Sequence, residues 1–336
     1  MVFIHIKRIG GKKYYTLRVS VRKGDKVITK DICNLGSDIS KINIERLEKK
    51  YHGGIRKSYK TIKRFLDTNY YLEKAKELKI KQDIYFNKEQ LLELGAIALH
   101  YHSRFLKLDS LTQKDVMDNF ILNFAVNSTS IEGNTITMKQ AHNLFNEDIM
   151  PKDKSLREVN DLMNTKKVWE YLIENSPNFD LKLIETIHDM LLENIDKRIG
   201  FRTHEIKILG QPFKPSPARY VISDVKLLLN WYEENKRKMH PLALAIFFHH
   251  KFESIHPFSD GNGRTGRTLM NYILIRENYP PIVISRRFRK GYLEALNEAD
   301  KSLRTEITKI DLDYYRKLLD FLCKQYNMSY WDIFLV

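Results

Sequence analysis

Twelve consecutive residues, His256–Arg267 (HPFSDGNGRTGR), combine a titratable base, an acid, three glycines and two arginines. An apolar run, Thr268–Ile275, follows directly, so the glycine turn lies at the start of a predicted helix. The N–H groups at a helix N-terminus attract anions, and glycine lets an anion approach the backbone closely. The segment therefore predicts a phosphate-binding turn.

The side chains around this turn suit chemistry on a nucleotide. Arg264 and Arg267 are three residues apart, so they lie on one helix face, and two planar guanidinium groups suit a polyphosphate. Asp260 could hold a Mg²⁺ ion that bridges phosphates, and His256 could take a proton from a hydroxyl group. Phe258 is predicted to anchor the loop in the core. These types favour attack of a hydroxyl group on a nucleotide phosphate, and no Walker A pattern offers another phosphate site.

The segment resembles the signature of the Fic family, HPFx[DE]GNGRxxR, and matches it at every defined position. The resemblance covers about residues 90–325. Further similar segments are the helix before the loop, His240–Ala245 with His249 and Ile255, and a predicted β-hairpin flap, Gly200–Arg202 and Ile206–Gly210 with Pro215.

The resemblance implies a mainly helical enzyme that transfers AMP from ATP to a Ser, Thr or Tyr hydroxyl of a target protein, with Mg²⁺. It implies that His256 is the general base and that Asp260 binds Mg²⁺. Gly261, Asn262 and Gly263 would surround the phosphates, with Asn262 binding the α-phosphate. Arg264 would bind the β-phosphate and stabilise the leaving pyrophosphate, and Arg267 would bind the γ-phosphate. Thus His256, Asn262 and Arg264 are the expected catalytic residues.

The family's nucleotide cover and adenine contact fall on two further segments. The flap near Ile208, Leu209 and Gly210 would cover the nucleotide and pair with an extended target segment by strand addition. Tyr292 lies where the family often places an aromatic ring against adenine. A core tyrosine is the competing interpretation of Tyr292.

A second pattern, Ser128–Gly133 (STSIEG), has Ser128 and Glu132 four residues apart before a glycine that can end a helix. It fits the family's inhibitory motif, [ST]xxxE[GN]. The resemblance implies that Glu132 pairs with Arg267 and occupies the space that the γ-phosphate needs. A solvated glutamate at a helix end is the simpler interpretation.

The remaining pattern predicts the elements that position these residues. Alternation over Tyr14–Ile32 with a glycine turn indicates a β-hairpin, which is expected to pack on a third strand at Phe3–Ile9 or on the helices that follow. Helical periodicity dominates after Asp38. The expected domains are a basic hairpin at 1–37, a helical region at 38–110, a Fic domain at 111–325 with its inhibitory helix at about 120–134, and a tail at 326–336. The predicted fold class is a mainly α, Fic-type helical bundle with a small flap.

Charge and cysteine content narrow the functional classes. Residues 1–64 hold 18 Lys and Arg against 5 Asp and Glu, whereas the remainder holds 39 against 37. The basic end could bind nucleic acid, or it could be a solvated lysine-rich surface. Two distant cysteines, no secretory signal and no run of about 18–20 apolar residues predict a cytoplasmic protein without a membrane partner.

Three alternatives to AMP transfer stay open. The chain could hydrolyse AMP from modified targets, transfer another phosphate-containing group, or regulate nucleic acid through its basic end. The resemblance also implies a homodimer as the expected assembly.

Overall fold

The computed structural model describes residues 1–79, 81–207, 214–303 and 306–335. These residues form one three-stranded antiparallel sheet and twelve α-helices, which confirms the mainly α fold class. The strands are β1 (Val2–Ile9), β2 (Lys12–Lys23) and β3 (Lys26–Gly36). The helices are α1 (Ile44–Arg56), α2 (Tyr59–Lys76), α3 (Lys88–Ser103), α4 (Ser110–Ile131), α5 (Met138–Glu147), α6 (Leu156–Asn175), α7 (Leu181–Leu192), α8 (Val221–Asn235), α9 (Pro241–Ile255), α10 (Asn262–Arg276), α11 (Arg289–Ala299) and α12 (Leu312–Ile333).

The chain divides into two compact units. The N-terminal unit consists mainly of Met1–Lys81 and Leu91–Arg104, and the C-terminal unit mainly of Gln82–Gln90 and Phe105–Phe334. The sheet, α1 and α2 belong to the first unit, and α4 to α12 belong to the second. The change from strands to helices near residue 37 therefore lies inside the N-terminal unit.

The N-terminal unit is a β-meander packed on helices. β2 lies between β1 and β3, and the turn between β2 and β3 contains Gly24, whose φ of 60° suits glycine. Alternation along the strands puts Val2, Ile4, Tyr15 and Leu17 on one face, where they form a core with apolar residues of α1 and α2. The predicted third strand is thus present, and it completes a sheet with one buried face.

The C-terminal unit is built around α9 and α10. Every residue of α9 from Leu242 to Phe252 is buried, as its nearly continuous apolar run requires. Gly266 allows α10 to approach α9 closely, because a Cβ there would collide with Glu253. α9 has only 15 residues, and across the described residues no helix is both long and apolar enough to cross a bilayer.

Two helix boundaries differ from the sequence prediction. α10 begins at Asn262, so Gly263 belongs to the first helical turn instead of the glycine turn predicted to precede the helix. α12 continues to Ile333, through most of the predicted tail, because Tyr330 and Trp331 are buried there. Because these aromatic side chains are buried in the core, the helix continues beyond residue 326, where the predicted tail begins.

The buried guanidinium group of Arg202 ties the proline-rich segment to the end of α9. Its Nε donates to the carbonyl of His256 (2.8 Å), and it also donates to the carbonyls of Ile255 (3.3 Å), His204 (3.1 Å) and Ser216. Residues 208–213 of this segment lie outside the described residues. Arg202 therefore binds the last carbonyls of α9 and both sides of residues 208–213.

We expect Arg202→Met to lower the free energy of unfolding by about 2–4 kcal/mol, because it leaves buried carbonyl groups without donors. Urea unfolding followed by tryptophan fluorescence measures this, since Trp169, Trp231 and Trp331 all lie in the C-terminal unit. Arg198→Met is the control, because Arg198 is exposed and its ion pair among the described residues is with nearby Asp196. Equal losses in both variants would contradict the role of Arg202.

Candidate active site

The loop between α9 and α10 is held by its own side chains. α9 ends at His256 in the left-handed conformation (φ 51°), and Gly261 (φ 76°) leads into α10. The carboxamide of Asn262 accepts from the N–H of Phe258 (2.9 Å) and donates to its carbonyl (2.8 Å). Phe258 is fully buried, and its ring stacks on that of His188 with centroids 3.7 Å apart. The loop is therefore fixed by the folded chain without a ligand.

The side chain of Asn262 differs from its expected role on the α-phosphate. It is 2% exposed, and the backbone of Phe258 engages both of its polar atoms. The carboxamide thus shapes the loop. The group left for an anion is the N-terminus of α10, whose first N–H groups have no acceptor within the helix.

The imidazole of His256 is half-buried and lines the pocket beside this loop. Its Nδ1 lies 3.3 Å from the carbonyl of Glu253, so Nδ1–H donates there and Nε2 is left as a proton acceptor. Burial lowers the pKa of His256 to about 4. At neutral pH the ring is therefore uncharged and can act as a base.

A pocket of about 430 Å³ opens over the loop, in the size range of small-ligand sites. Its walls come from the end of α4, from α6, from the first turns of α10 and from α11. The charged residues that line it are Glu132, Arg157, Asp161, Glu253, Asp260, Arg264, Arg267 and Arg289. The pocket is therefore lined by both cations and carboxylates.

Glu132 bridges the two arginines of the signature. Arg264 Nε donates to Glu132 Oε2 (2.8 Å), and Arg267 donates from a terminal nitrogen to Glu132 Oε1 (2.7 Å). Both arginine side chains are only 4% exposed, and Glu132 is 31% exposed. Each carboxylate oxygen thus takes one guanidinium group, where the resemblance implied a pair with Arg267 alone.

Gly263 leaves room for this carboxylate. A Cβ at Gly263 would collide with Glu132 Oε1 and would lie 2.9 Å from Arg267. The carboxylate therefore sits against the first turn of α10, at the position that the sequence predicted for a phosphate. An anion belonging to the chain itself occupies the anion site.

The end of α4 is held by Arg267 and Arg289. Arg267 donates to Ser128 Oγ (2.9 Å) and to the Ser128 carbonyl (3.0 Å), and Arg289 donates to the carbonyl of Ile131 (2.6 Å). Gly133 follows Glu132 with a φ of 107°, which ends the helix. Cations at a helix C-terminus also interact favourably with its dipole. Ser128 and Glu132 thus meet the signature loop.

Asp260 faces the pocket but is already bound. Its Oδ2 accepts from Arg157 (2.6 Å), and Oδ1 accepts from the N–H of Gly261 (2.7 Å). Burial opposes ionisation of Asp260, but Arg264 and Arg157 outweigh it and hold the pKa of its carboxyl below the usual value. Within the described residues no three His, Cys, Asp or Glu side chains cluster as a metal site. One carboxylate does fit Mg²⁺ where phosphates supply the other ligands.

Arg157, Asp161, His188, Glu253 and Arg289 belong to this site but were not predicted from the sequence. Asp161 pairs with Arg264, and Arg157 pairs with Asp260. Arg157 lies four residues before Asp161, so both lie on one face of α6. His188 stacks on Phe258 and approaches the carbonyl of Asp260 (3.2 Å). The four-residue spacing of an arginine and an aspartate was a weak signal for α6, whereas nothing in the local sequence marked His188.

Tyr292 is a core residue rather than an open aromatic surface. It is 1% exposed, and its hydroxyl is hydrogen-bonded to Nε2 of His249. Glu253 lies next to this pair, with Oε1 3.9 Å from His249 Nδ1, and burial raises the pKa of Glu253 to about 8. Tyr292 and Glu253 thus form, with His249, a buried polar cluster at the wall of the pocket, and the adenine contact expected of Tyr292 stays a prediction.

The three flap residues proposed to cover a nucleotide, Ile208, Leu209 and Gly210, lie outside the described residues. On the described side of that segment, Glu205 accepts from the N–H of Ala218 (2.9 Å). No strand forms at Phe201–Lys207 in the described chain.

Comparison with known proteins shows which sequences and structures this chain resembles. Residues 178–274 match the sequence model of the Fic/DOC family. Relatives named protein adenylyltransferase Fic include one from Aedes aegypti, 34% identical over 187 residues (52% of this chain, 36% of the relative), and one from Drosophila melanogaster, 30% identical over 203 residues (57% and 40%). The chain thus covers little more than a third of the length of these relatives.

Solved structures agree on the fold. A Fic domain containing signaling protein from Bacteroides thetaiotaomicron aligns with a TM-score of 0.63 at 23% identity, over 71% of this chain and 95% of that one. Fic-1 from C. elegans aligns with a TM-score of 0.60 at 24% identity, over 72% of this chain and 69% of that one. At this identity the likeness establishes the fold alone. The sequence match to the Fic/DOC family covers residues 178–274, less than a third of the chain, so the likeness to that family is located in this part of it.

Proposed function

We propose that this chain is a protein adenylyltransferase, which moves AMP from ATP to a side-chain hydroxyl of a target protein. The observation that carries the proposal is that an uncharged imidazole, a helix N-terminus and two buried guanidinium groups meet in one pocket, at His256, Asn262, Arg264 and Arg267. The names of the relatives, which match about half of the chain, support the same activity.

The transfer needs one proton acceptor and one leaving group. The hydroxyl oxygen of the target attacks the α-phosphorus of ATP, and the bond from that phosphorus to the oxygen bridging the β-phosphate breaks. The hydroxyl proton passes to Nε2 of His256, and pyrophosphate leaves. Because burial lowers the pKa of His256, its ring is uncharged at neutral pH, which leaves Nε2 free to act as the proton acceptor.

The rest of the site holds the phosphates. The first N–H groups of α10 would bind the α- and β-phosphates, Arg264 would neutralise the leaving pyrophosphate, and Arg267 would bind the γ-phosphate. Asp260 would hold Mg²⁺, which when bound supplies positive charge to the phosphates. Asp161 positions Arg264 from the side opposite Glu132.

Glu132 makes the enzyme autoinhibited in this proposal. Its carboxylate binds both guanidinium groups that the phosphates need, and it lies against Gly263. ATP could enter only with its phosphate tail displaced, and positioning supplies much of the rate in phosphoryl transfer.

Hydrolytic removal of AMP is the second candidate function. The observation that favours it is that Glu132 reaches the pocket and could orient a water molecule there. Incubation with a target that already carries AMP separates the directions, because only the hydrolase releases free AMP. Transfer of another phosphate-containing group is tested by replacing ATP with other nucleotides in the same assay.

We expect Glu132→Gly to increase labelling of the chain itself, or of lysate proteins, at least tenfold with labelled ATP and Mg²⁺. The physical reason is that the variant frees Arg264 and Arg267 for phosphate. Mass spectrometry would detect the added adenylyl group. Glu234→Gly is a matched control, because it removes an exposed glutamate from α8. If Glu132→Gly labels no better than the parent chain, the autoinhibition proposal is wrong.

We expect His256→Ala, introduced into the Glu132→Gly variant, to lower the transfer rate by about 10²–10⁴-fold, as loss of a general base does. Nucleotide binding measured by calorimetry should persist, since the arginines and the start of α10 remain. His142→Ala, an exposed histidine on α5, is the control. Undiminished transfer by the His256 variant would exclude the proposed base.

A further inference from the structure

The hairpin of β2 and β3 extends beyond the rest of the sheet. β1 pairs with β2 only as far as Val19, opposite Val2. From Val21 to Lys30 the two strands pair only with each other, and all ten residues are exposed. We call Val21–Lys30 the ribbon. It contributes nothing to the core of its unit, so its sequence is free to serve another purpose.

The ribbon is strongly basic. It contains Arg22, Lys23, Lys26 and Lys30 against one acid, Asp25. Among the described residues these four cations form no ion pair, whereas Arg18, nearer the core, pairs with Asp31 (2.6 Å). Because residues 1–64 carry nearly all of the positive excess of the chain, the ribbon belongs to the basic part of the molecule. Its charge is complementary to a phosphate backbone.

The register gives the ribbon two different faces. Val21 lies opposite Ile28, and Lys23 lies opposite Lys26, so one face has an apolar pair followed by two cations. Val21 is 46% exposed and Ile28 is 40% exposed. If the ribbon carried lysines and no exposed apolar residues, the lysines could be explained as protection of a sheet edge against aggregation. An exposed apolar pair flanked by lysines instead suits base-edge contact between two phosphate backbones, because thymine presents a methyl group in the major groove.

The shape of the ribbon selects one kind of nucleic acid. Two paired strands fit the major groove of B-form DNA, which is about 12 Å wide, and exceed the minor groove, about 6 Å wide. The pairs from Val21 to Lys23 and the turn reach roughly 10 Å, at about 3.3 Å per residue, which matches a groove about 8.5 Å deep. The major groove of A-form RNA is too narrow for side chains to read.

We propose that the chain binds duplex DNA, with the ribbon inserted in the major groove, Val21 and Ile28 toward base edges, and Lys23, Lys26 and Lys30 toward the phosphates. This binding is separate from the transfer of AMP, since every residue it uses lies in the N-terminal unit.

The test uses the full chain and a fluorescent 20-base-pair DNA duplex of mixed sequence, in fluorescence anisotropy between 50 and 200 mM salt. About four phosphate contacts should give a slope of roughly −3 to −4 in a plot of log affinity against log salt. The double variant Lys23→Glu/Lys26→Glu should weaken binding at least tenfold and make that slope shallower by about 2. Arg237→Glu/Lys238→Glu, which reverses two exposed charges in the C-terminal unit, should bind like the parent.

Further measurements separate groove insertion from simple charge attraction. Val21→Ser/Ile28→Ser keeps the charge and should weaken binding severalfold; unchanged binding would exclude apolar contact in the groove. Duplex RNA and single-stranded DNA of the same sequence should bind more weakly than duplex DNA, and tighter binding of either would overturn the proposal. Parent-like binding by the charge-reversed variant would overturn it too. Circular dichroism checks that each variant keeps its fold. If the charge-reversed variant does not fold, Lys23→Gln/Lys26→Gln takes its place, because it removes the two charges without introducing acidic side chains.

Discussion

Two buried guanidinium groups side by side require an anion, and Glu132 is the anion that the folded chain supplies. Arg264 and Arg267 are almost inaccessible to water, so without a counter-ion their charges would be costly to bury. The carboxylate gives one oxygen to each. The end of α4 is located by this contact, and Arg289 and Arg267 hold its last carbonyls in place. One electrostatic requirement therefore links the end of α4 to the signature loop.

The same requirement connects binding with regulation. In the proposed reaction a nucleotide's phosphate tail is the other anion that binds these arginines, and the Glu132 carboxylate already lies against Gly263. Control in the proposed enzyme thus needs no separate domain, because an internal carboxylate and the substrate compete for the same donors. Asp161 keeps Arg264 partly neutralised whichever anion is bound, which limits the cost of exchange.

The N-terminal unit follows a different physical logic. Its core is formed by residues of β1 and of the first half of β2, such as Val2 and Leu17, together with α1 and α2. The ribbon at the turn end of the hairpin is not part of this core. Residues 1–64, which include the ribbon, hold 18 basic against 5 acidic residues, while the remainder of the chain is nearly neutral, with 39 basic against 37 acidic residues. A surface released from the core and enriched in one sign of charge is suited to recognition.

Much of this protein is determined by short-range sequence features. Helix periodicity, alternation in the hairpin and the glycine turn before α10 depend on neighbours within a few residues, so the elements and the anion-binding turn could be predicted from them. The tertiary structure alone decided that Glu132 reaches two arginines about 130 residues later in the sequence. It also decided that the Asn262 carboxamide is hydrogen-bonded to the backbone of Phe258 and that Tyr292 is buried. Those outcomes depend on how distant helices pack, and no local pattern in the chain encodes which buried donor meets which acceptor.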